Sequence, residues 1–307
     1  MNNSVFEKNL DFIATPLISC PLCQRSSSDM RDVMQKAGLW DEVECQACEK
    51  KFEIATAIDE MFVKSSPSGF TLWTGGKRIC VPIACISGQT QLVDIRGIFE
   101  EVYIMTPYFE HFECLVGGFF TKFVQQSYAM VAVAPNPDGK VVTMNAHLFI
   151  EGRPSGQPQL EPWMQMLLNA KLLIYDAPHM TIIMALNAVD LYLESATNLE
   201  IPKGRPGSWN KIIKEYFQIP LSDMLGVNFK KIEKIVQLRN ALAHGKDHVK
   251  VLPKELVDPE EKWIENGKYY EGSGAFSPCA AFALKSALEV IRSCRRIHDR
   301  RINEVSN

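Results

Sequence analysis

Long apolar runs are the first thing this 307-residue chain lacks. Its longest near-apolar stretch, 79–86, is far too short to cross a bilayer, which takes about 20 residues. The opening residues, MNNSVFEKNLDFI, contain no basic segment leading into an apolar core. No secretory signal is therefore expected, and the chain is placed in a cytoplasm with no membrane partner. Strong charge of one sign is also missing. The formal net charge is −3, so any nucleic-acid surface has to be a local patch rather than a field over the whole molecule. There is no glycine-rich phosphate loop and no carboxylate cluster suited to Mg²⁺, which argues against the usual nucleotide-handling chemistries. What is present is a globular composition, 46% hydrophobic and 22% charged, with enough length for two or three domains.

Nine cysteines are present, and four of them fall in two close pairs, Cys20-Pro-Leu-Cys23 and Cys45-Gln-Ala-Cys48. A CxxC turn aims two thiolates at one ion, and two such turns complete a tetrahedral set. In a chain without export signals this favours metal over disulfides. Residues 1–65 are read as a zinc ribbon-like region whose Zn²⁺ is structural, because four thiolates leave no open position. Lys50 and Lys51 would partly offset the charge of the site. The stretch 26–40 is partly helical by pattern and could present Arg25, Arg31 and Lys36 to a partner. A purely structural knuckle and one that reads nucleic acid both stay open.

Beyond the turn-rich 65–69, the span 66–150 reads as a small β-rich module, an antiparallel sheet or sandwich. The expected strand-like runs are 70–73, 78–86, 101–106, 112–116, 128–134 and 140–150, with Val102, Ile104 and Thr106 alternating. Pro135-Asn-Pro-Asp-Gly139 reads as a hairpin connection. Cys80, Cys85 and Cys114 are expected to be small core residues, and His111 and His147 to have no chemical role. Residues 151–162, with three prolines and two glycines, read as a linker.

From 163 to 307 the periodicity is helical. Helices are expected over 163–175 and 179–197, the second with Ile182, Ile183, Leu186, Val189 and Leu193 along one side. A short helix capped by Ser208, a long one capped by Asn228, and a last one entered through Ser277-Pro278 and running to about 301 complete the pattern. The result is an up-and-down arrangement with one long connection, 246–276.

The long helix ends KIEKIVQLRNALAHG. Its apolar stripe finishes at Gly245, and near that stop sit Arg239, Asn240 and His244. Asn240 and His244 are four apart and share a face. Imidazole can give or take a proton near neutrality, and guanidinium grips phosphate with a fork of donors. With no carboxylate set for Mg²⁺, the group suits metal-independent phosphodiester cleavage by an RNA 2′-hydroxyl.

Arg239-Asn240-Ala-Leu-Ala-His244 resembles the R-N-x-x-x-H signature of the HEPN superfamily, many of whose members are ribonucleases of bacterial toxin–antitoxin and anti-phage systems. Ala185-Leu-Asn-Ala188-Val189-Asp190 resembles the family's A-x-x-A-V-E segment, with Asp in place of Glu. The resemblance covers 163–303. It implies an all-α HEPN-like helical bundle there; with the N-terminal zinc ribbon and the middle antiparallel β module read from the residues above, the chain is expected to be a multidomain α+β protein. It implies His244 as general acid/base, Arg239 and Asn240 on the phosphate, and Asp190, or Glu194 one turn later, orienting Arg239. It also implies a homodimer with a composite site, RNA as substrate with tRNA among the candidates, and an antitoxin or trigger-sensing partner. Basic residues around the motif would help hold RNA: Lys230, Lys231, Lys234, Lys246, Lys250 and Lys254, with Arg292, Arg295, Arg296, Arg300 and Arg301 on the last helix. A non-catalytic RNA- or DNA-binding or adaptor protein, and an inactive interaction protein, are the rival readings.

Overall fold

The computed structural model describes residues 3–6, 18–25, 37–64, 69–110, 118–124, 127–199, 206–245 and 276–306. It divides into two compact units, Met1–Gln159 and Leu160–Asn307. The first mixes sheets and helices, and the described residues of the second are all helical or in connections. Expectations for 26–36, 65–68, 111–117 and 246–275 lie outside the described residues. These include Arg31, Lys36, His111, Cys114, Lys246, Lys250 and Lys254.

In the first unit a short hairpin, β2 (Glu42–Glu44) and β3 (Lys51–Glu53), leads directly into α1 (Ile54–Val63). Ile54, Ala57 and Met61 recur at helical spacing and close a small core with Ile18, Val43 and Phe52 beside the paired cysteines. Residues 70–73, expected as a strand, instead form part of the short helix α2 (Gly69–Thr74). The reason is tertiary: Phe70 and Trp73, three apart, both pack on Phe62 of α1, with ring centroids at 5.3 and 4.2 Å. A short apolar run carries no periodicity that could have distinguished the two. Gly69 permits the approach, because a Cβ there would sit 2.5 Å from the Met61 carbonyl oxygen.

The remaining strands form two sheets over one core. β4 (Lys77–Ile86), β9 (Thr143–Arg153) and β6 (Glu101–Phe109) make an antiparallel sheet in the order β4-β9-β6. The other has the order β1-β5-β8-β7, from β1 (Asn3–Phe6), β5 (Thr90–Asp94), β8 (Tyr128–Val133) and β7 (Phe119–Val124). Only the β1–β5 pair in it is parallel. Alternate residues turn inward: Ile79, Val81, Ile83 and Cys85 from β4, Ala129, Val131 and Val133 from β8, Met144, Ala146, Leu148 and Ile150 from β9. Cys85 is thus a core residue, while Cys80 is only half-buried. Three expectations need correcting. The 135–139 turn forms, with the Gly139 N–H donating to Asn136 O, but β8 and β9 belong to different sheets, so it crosses between sheets and makes no hairpin. A bulge between Val102 and Ile104 shifts the phase of β6, and Tyr103 becomes the buried residue there. β9 runs on to Arg153, into the segment read as linker.

In the second unit α4 (Pro178–Thr197) packs against α3 (Pro162–Leu172), α7 (Phe229–Ala243) and α8 (Phe276–Ser306). Between them lie α5 (Pro206–Ile212), a π turn (Ile213–Phe217) and α6 (Leu221–Leu225). α5 starts at Pro206, so Ser208 lies inside it rather than capping it. Asn228 does occupy the cap position of α7, but it makes no side-chain cap bond, because a 3₁₀ turn (Gly226–Asn228) runs straight into the helix. No helix among the described residues is long and apolar enough to cross a membrane.

Candidate metal centre and candidate active site

The first site is built from two matching turns. In one, the Gln24 N–H donates to the Cys20 carbonyl and the Cys20 N–H to the Arg25 carbonyl. In the other, Glu49 donates to Cys45 and Cys45 to the Lys50 carbonyl. Gln24 and Glu49 each take positive φ, 61° and 57°, which turns the chain back after the second cysteine of each pair. The four Sγ atoms all lie within 4.8 Å of one another. Cys20 Sγ is 3.8 Å from Cys48 Sγ, and Cys23 Sγ is 3.6 Å from Cys45 Sγ. These are not disulfides, whose sulfurs bond at about 2.05 Å. A tetrahedron with metal–sulfur bonds of about 2.3 Å has edges of about 3.8 Å, so the four thiols could hold a metal ion, in an arrangement compatible with structural zinc.

The electrostatics point the same way. Burial pushes the Cys45 thiol up, but the backbone N–H groups of Ala47 and Cys48 and the neighbouring thiols outweigh it and bring it down to about 7. At Cys48 the Lys50 backbone N–H favours the thiolate, yet burial and the other three thiols push it up to about 12. Thiolates packed this closely cannot all ionise unless a cation shares the space.

The second site lies in the helical unit. Arg239, on the inward face of α7, donates from its Nη2 to Asp190 Oδ2 of α4 at 3.3 Å. The two side chains are only 8% and 5% exposed. Asp190 is also bonded through Oδ1 by the indole N–H of Trp209 at 2.5 Å. Burial raises the Asp190 carboxyl above the usual range, while Trp209 and Arg239 act to hold it down. The Arg239 Nε is buried with no hydrogen-bond partner among the described residues. Asn240 is half-buried, and its carbonyl accepts the His244 backbone N–H at 3.1 Å. His244 caps the helix and is exposed, followed by Gly245 at φ +61°.

The structure therefore brings Asp190 and Arg239 together and leaves His244 at the surface at the end of the same helix. The charge of Glu194, one turn along α4, raises the Asp190 carboxyl further. Lys230 and Lys234 are exposed on α7, with Lys231 half-buried. The charges of Arg295 and Asp299 act on Tyr192, about 200° round α4 from Asp190. Trp209 was missed in the sequence; a lone tryptophan early in a short helix gives no sign that its N–H will meet a carboxylate on another. A second charged group was missed in the β unit: Glu151, bonded by Thr71 and 3.7 Å from Arg78, with Arg153 bridging Glu100 and Glu101. No protein-family model, no curated protein and no solved structure matches this chain.

Proposed function

We propose that the helical unit is a HEPN-type endoribonuclease that cleaves RNA by attack of its own 2′-hydroxyl, with zinc in the four-cysteine site serving structure alone. The observation that carries this reading is the Asp190–Arg239 pair. The carboxylate that the family resemblance assigns to the early helix bonds the arginine of the R-N-x-x-x-H segment, across 49 residues of chain. In this reading His244, the exposed member, takes the proton from the 2′-hydroxyl or gives one to the leaving oxygen. Arg239 is buried, so its charge acts on the phosphate from behind the motif, its direction set by Asp190 and Trp209. Asn240 positions the phosphate. Two such motifs meeting across a twofold in a homodimer of helical bundles would complete one cleft. Products would carry 2′,3′-cyclic phosphate, and the setting would be a growth-arresting toxin or an abortive-infection effector.

The test is to incubate zinc-loaded protein with total RNA in magnesium-free buffer, beside His244→Ala. Cleavage by the wild type that drops by about 10²–10⁴ in the variant supports the mechanism. Equal cleavage by both, or cleavage only after Mg²⁺ is added, overturns it. The burial of Arg239 in a self-neutralising pair favours one other reading, a non-catalytic RNA- or DNA-binding adaptor. That reading predicts salt-dependent binding, no cleavage, and no effect of His244→Ala on affinity.

A further inference from the structure

The π turn at Ile213–Phe217 and the end of α8 form a surface that the cleavage residues do not use. π turns are uncommon and concentrate at functional positions. Here the backbone carbonyl of Tyr216 accepts a hydrogen bond from Arg301 Nη1 at 2.7 Å. Tyr216 is 39% exposed, and its ring meets the ring of buried Phe217 edge-on, with centroids 5.0 Å apart at 67°. Lys211, five residues earlier in the last turn of α5, is exposed, as is Arg300. Between 292 and 306 the helix carries Arg292, Arg295, Arg296, Arg300 and Arg301 against Glu304 and one other acid, Asp299. That acid lies 3.9 Å from Arg295. The helix end is therefore cationic in a chain whose net charge is −3.

An aromatic face beside guanidinium groups is the chemistry that holds single-stranded nucleic acid. Bases stack on the ring, and phosphates take the forked donors. A guanidinium anchored through one nitrogen keeps its remaining donors in a set direction, so little conformational freedom is lost when a phosphate binds. We infer that this surface docks a single-stranded RNA segment, with Tyr216 stacking on a base and Arg301, Arg300 and Lys211 meeting phosphates. The inference rests on the RNA reading above and adds to it a holding surface on elements other than the one that carries His244.

The experiment is fluorescence anisotropy with the full zinc-loaded chain and a labelled 2′-O-methyl oligouridylate, which lacks the attacking hydroxyl and so reports binding without cleavage. Tyr216→Ala should weaken binding about tenfold, and Tyr216→Trp should retain it. Arg301→Gln keeps a donor for the Tyr216 carbonyl but loses the charge; it should weaken binding and lower the slope of log K against log salt by about 0.7. Undiminished binding by folded Tyr216→Ala and Arg301→Gln proteins overturns the inference. So does wild-type protein that ignores the oligonucleotide at low salt, or that holds a poly-glutamate peptide equally well. Cleavage of RNA with unchanged KM in both variants removes this surface and leaves the ribonuclease. Affinity lost in both variants of a chain that never cleaves leaves the surface and removes the ribonuclease.

Discussion

The two units each force ionisable groups together out of water, and they neutralise them in opposite ways. In the first, Cys20, Cys23, Cys45 and Cys48 offer four groups of one kind, with nothing of opposite charge among them. Four thiolates would need a cation from outside the chain, since Lys50 and Lys51 could offset their charge only in part. In the second, Asp190 and Arg239 supply both signs themselves, and Trp209 satisfies a further carboxylate oxygen. The first unit should therefore depend on an ion for its fold, while the second should hold its charged pair with no ligand. A site that depends on a ligand suits scaffolding, whereas a buried pair that is complete without one suits positioning a neighbour.

The largest effect that would test this contrast is removal of the metal. Structural zinc contributes about 10–16 kcal/mol of apparent binding free energy at neutral pH in small zinc domains. Cys45→Ser, or prolonged chelation, should abolish the folding transition of the first unit and open 18–64 to proteolysis. The helical unit should keep its own transition. Calorimetry with limited proteolysis reads both, and a chelated protein with two intact transitions would break the comparison.

Next comes Asp190→Ala. Breaking a buried pair by removing one partner costs about 3–5 kcal/mol, because a charge is left behind without compensation. The midpoint of the helical unit in urea should fall accordingly, with no change in the metal-dependent transition. Trp209→Phe is a milder form of the same test. It keeps most of the ring packing and removes one buried donor, at a cost of about 1–3 kcal/mol. If Trp209→Phe cost as much as Asp190→Ala, the indole N–H and not the arginine would be the main partner. His244→Ala, at an exposed helix end, should stay within about 0.5 kcal/mol of wild type. Any loss of RNA cleavage in that variant then reads chemistry and not folding.

How much of this was legible in the sequence follows the same contrast. The four-cysteine cluster was legible, because CxxC spacing is a local device whose geometry is decided within a few residues. The long helices of the second unit were legible from periodic patterns, and the ends of α4 and α7 fell close to where Pro178, Thr197 and Gly245 suggested; α1 and α6 went unread. Asp190 and Arg239 could be paired only through the family resemblance, and Trp209 not at all, because contacts between helices leave no mark on spacing. The β unit was the least legible. Residues 70–73 became a helix because Phe62 was waiting for Phe70 and Trp73, and β5 and β7 went unnoticed because their strands are short and only partly alternating. Which sheet β8 and β9 would join was decided by a core shared between sheets, beyond the reach of the 135–139 turn.

The smallest effect concerns pH and fixes which force dominates at Asp190. Its folded-state carboxyl is raised, with burial the leading cause and Trp209 and Arg239 opposing. The unfolded value lies near 3.9. A carboxyl raised in the fold holds its proton more tightly there than in the unfolded chain. Its contribution to stability is therefore fully present below the unfolded value and is lost as pH climbs through the raised one. Asp190→Asn has no such proton. The difference in unfolding free energy, wild type minus Asp190→Asn, should decline as pH rises from about 4, and urea titrations at several pH values read it directly. A difference that instead grows with pH would mean that Arg239 and Trp209 overcome burial and hold the carboxylate charged. The pair would then be a net source of stability, and the contrast with the thiols, which need a cation from outside, would be sharper still.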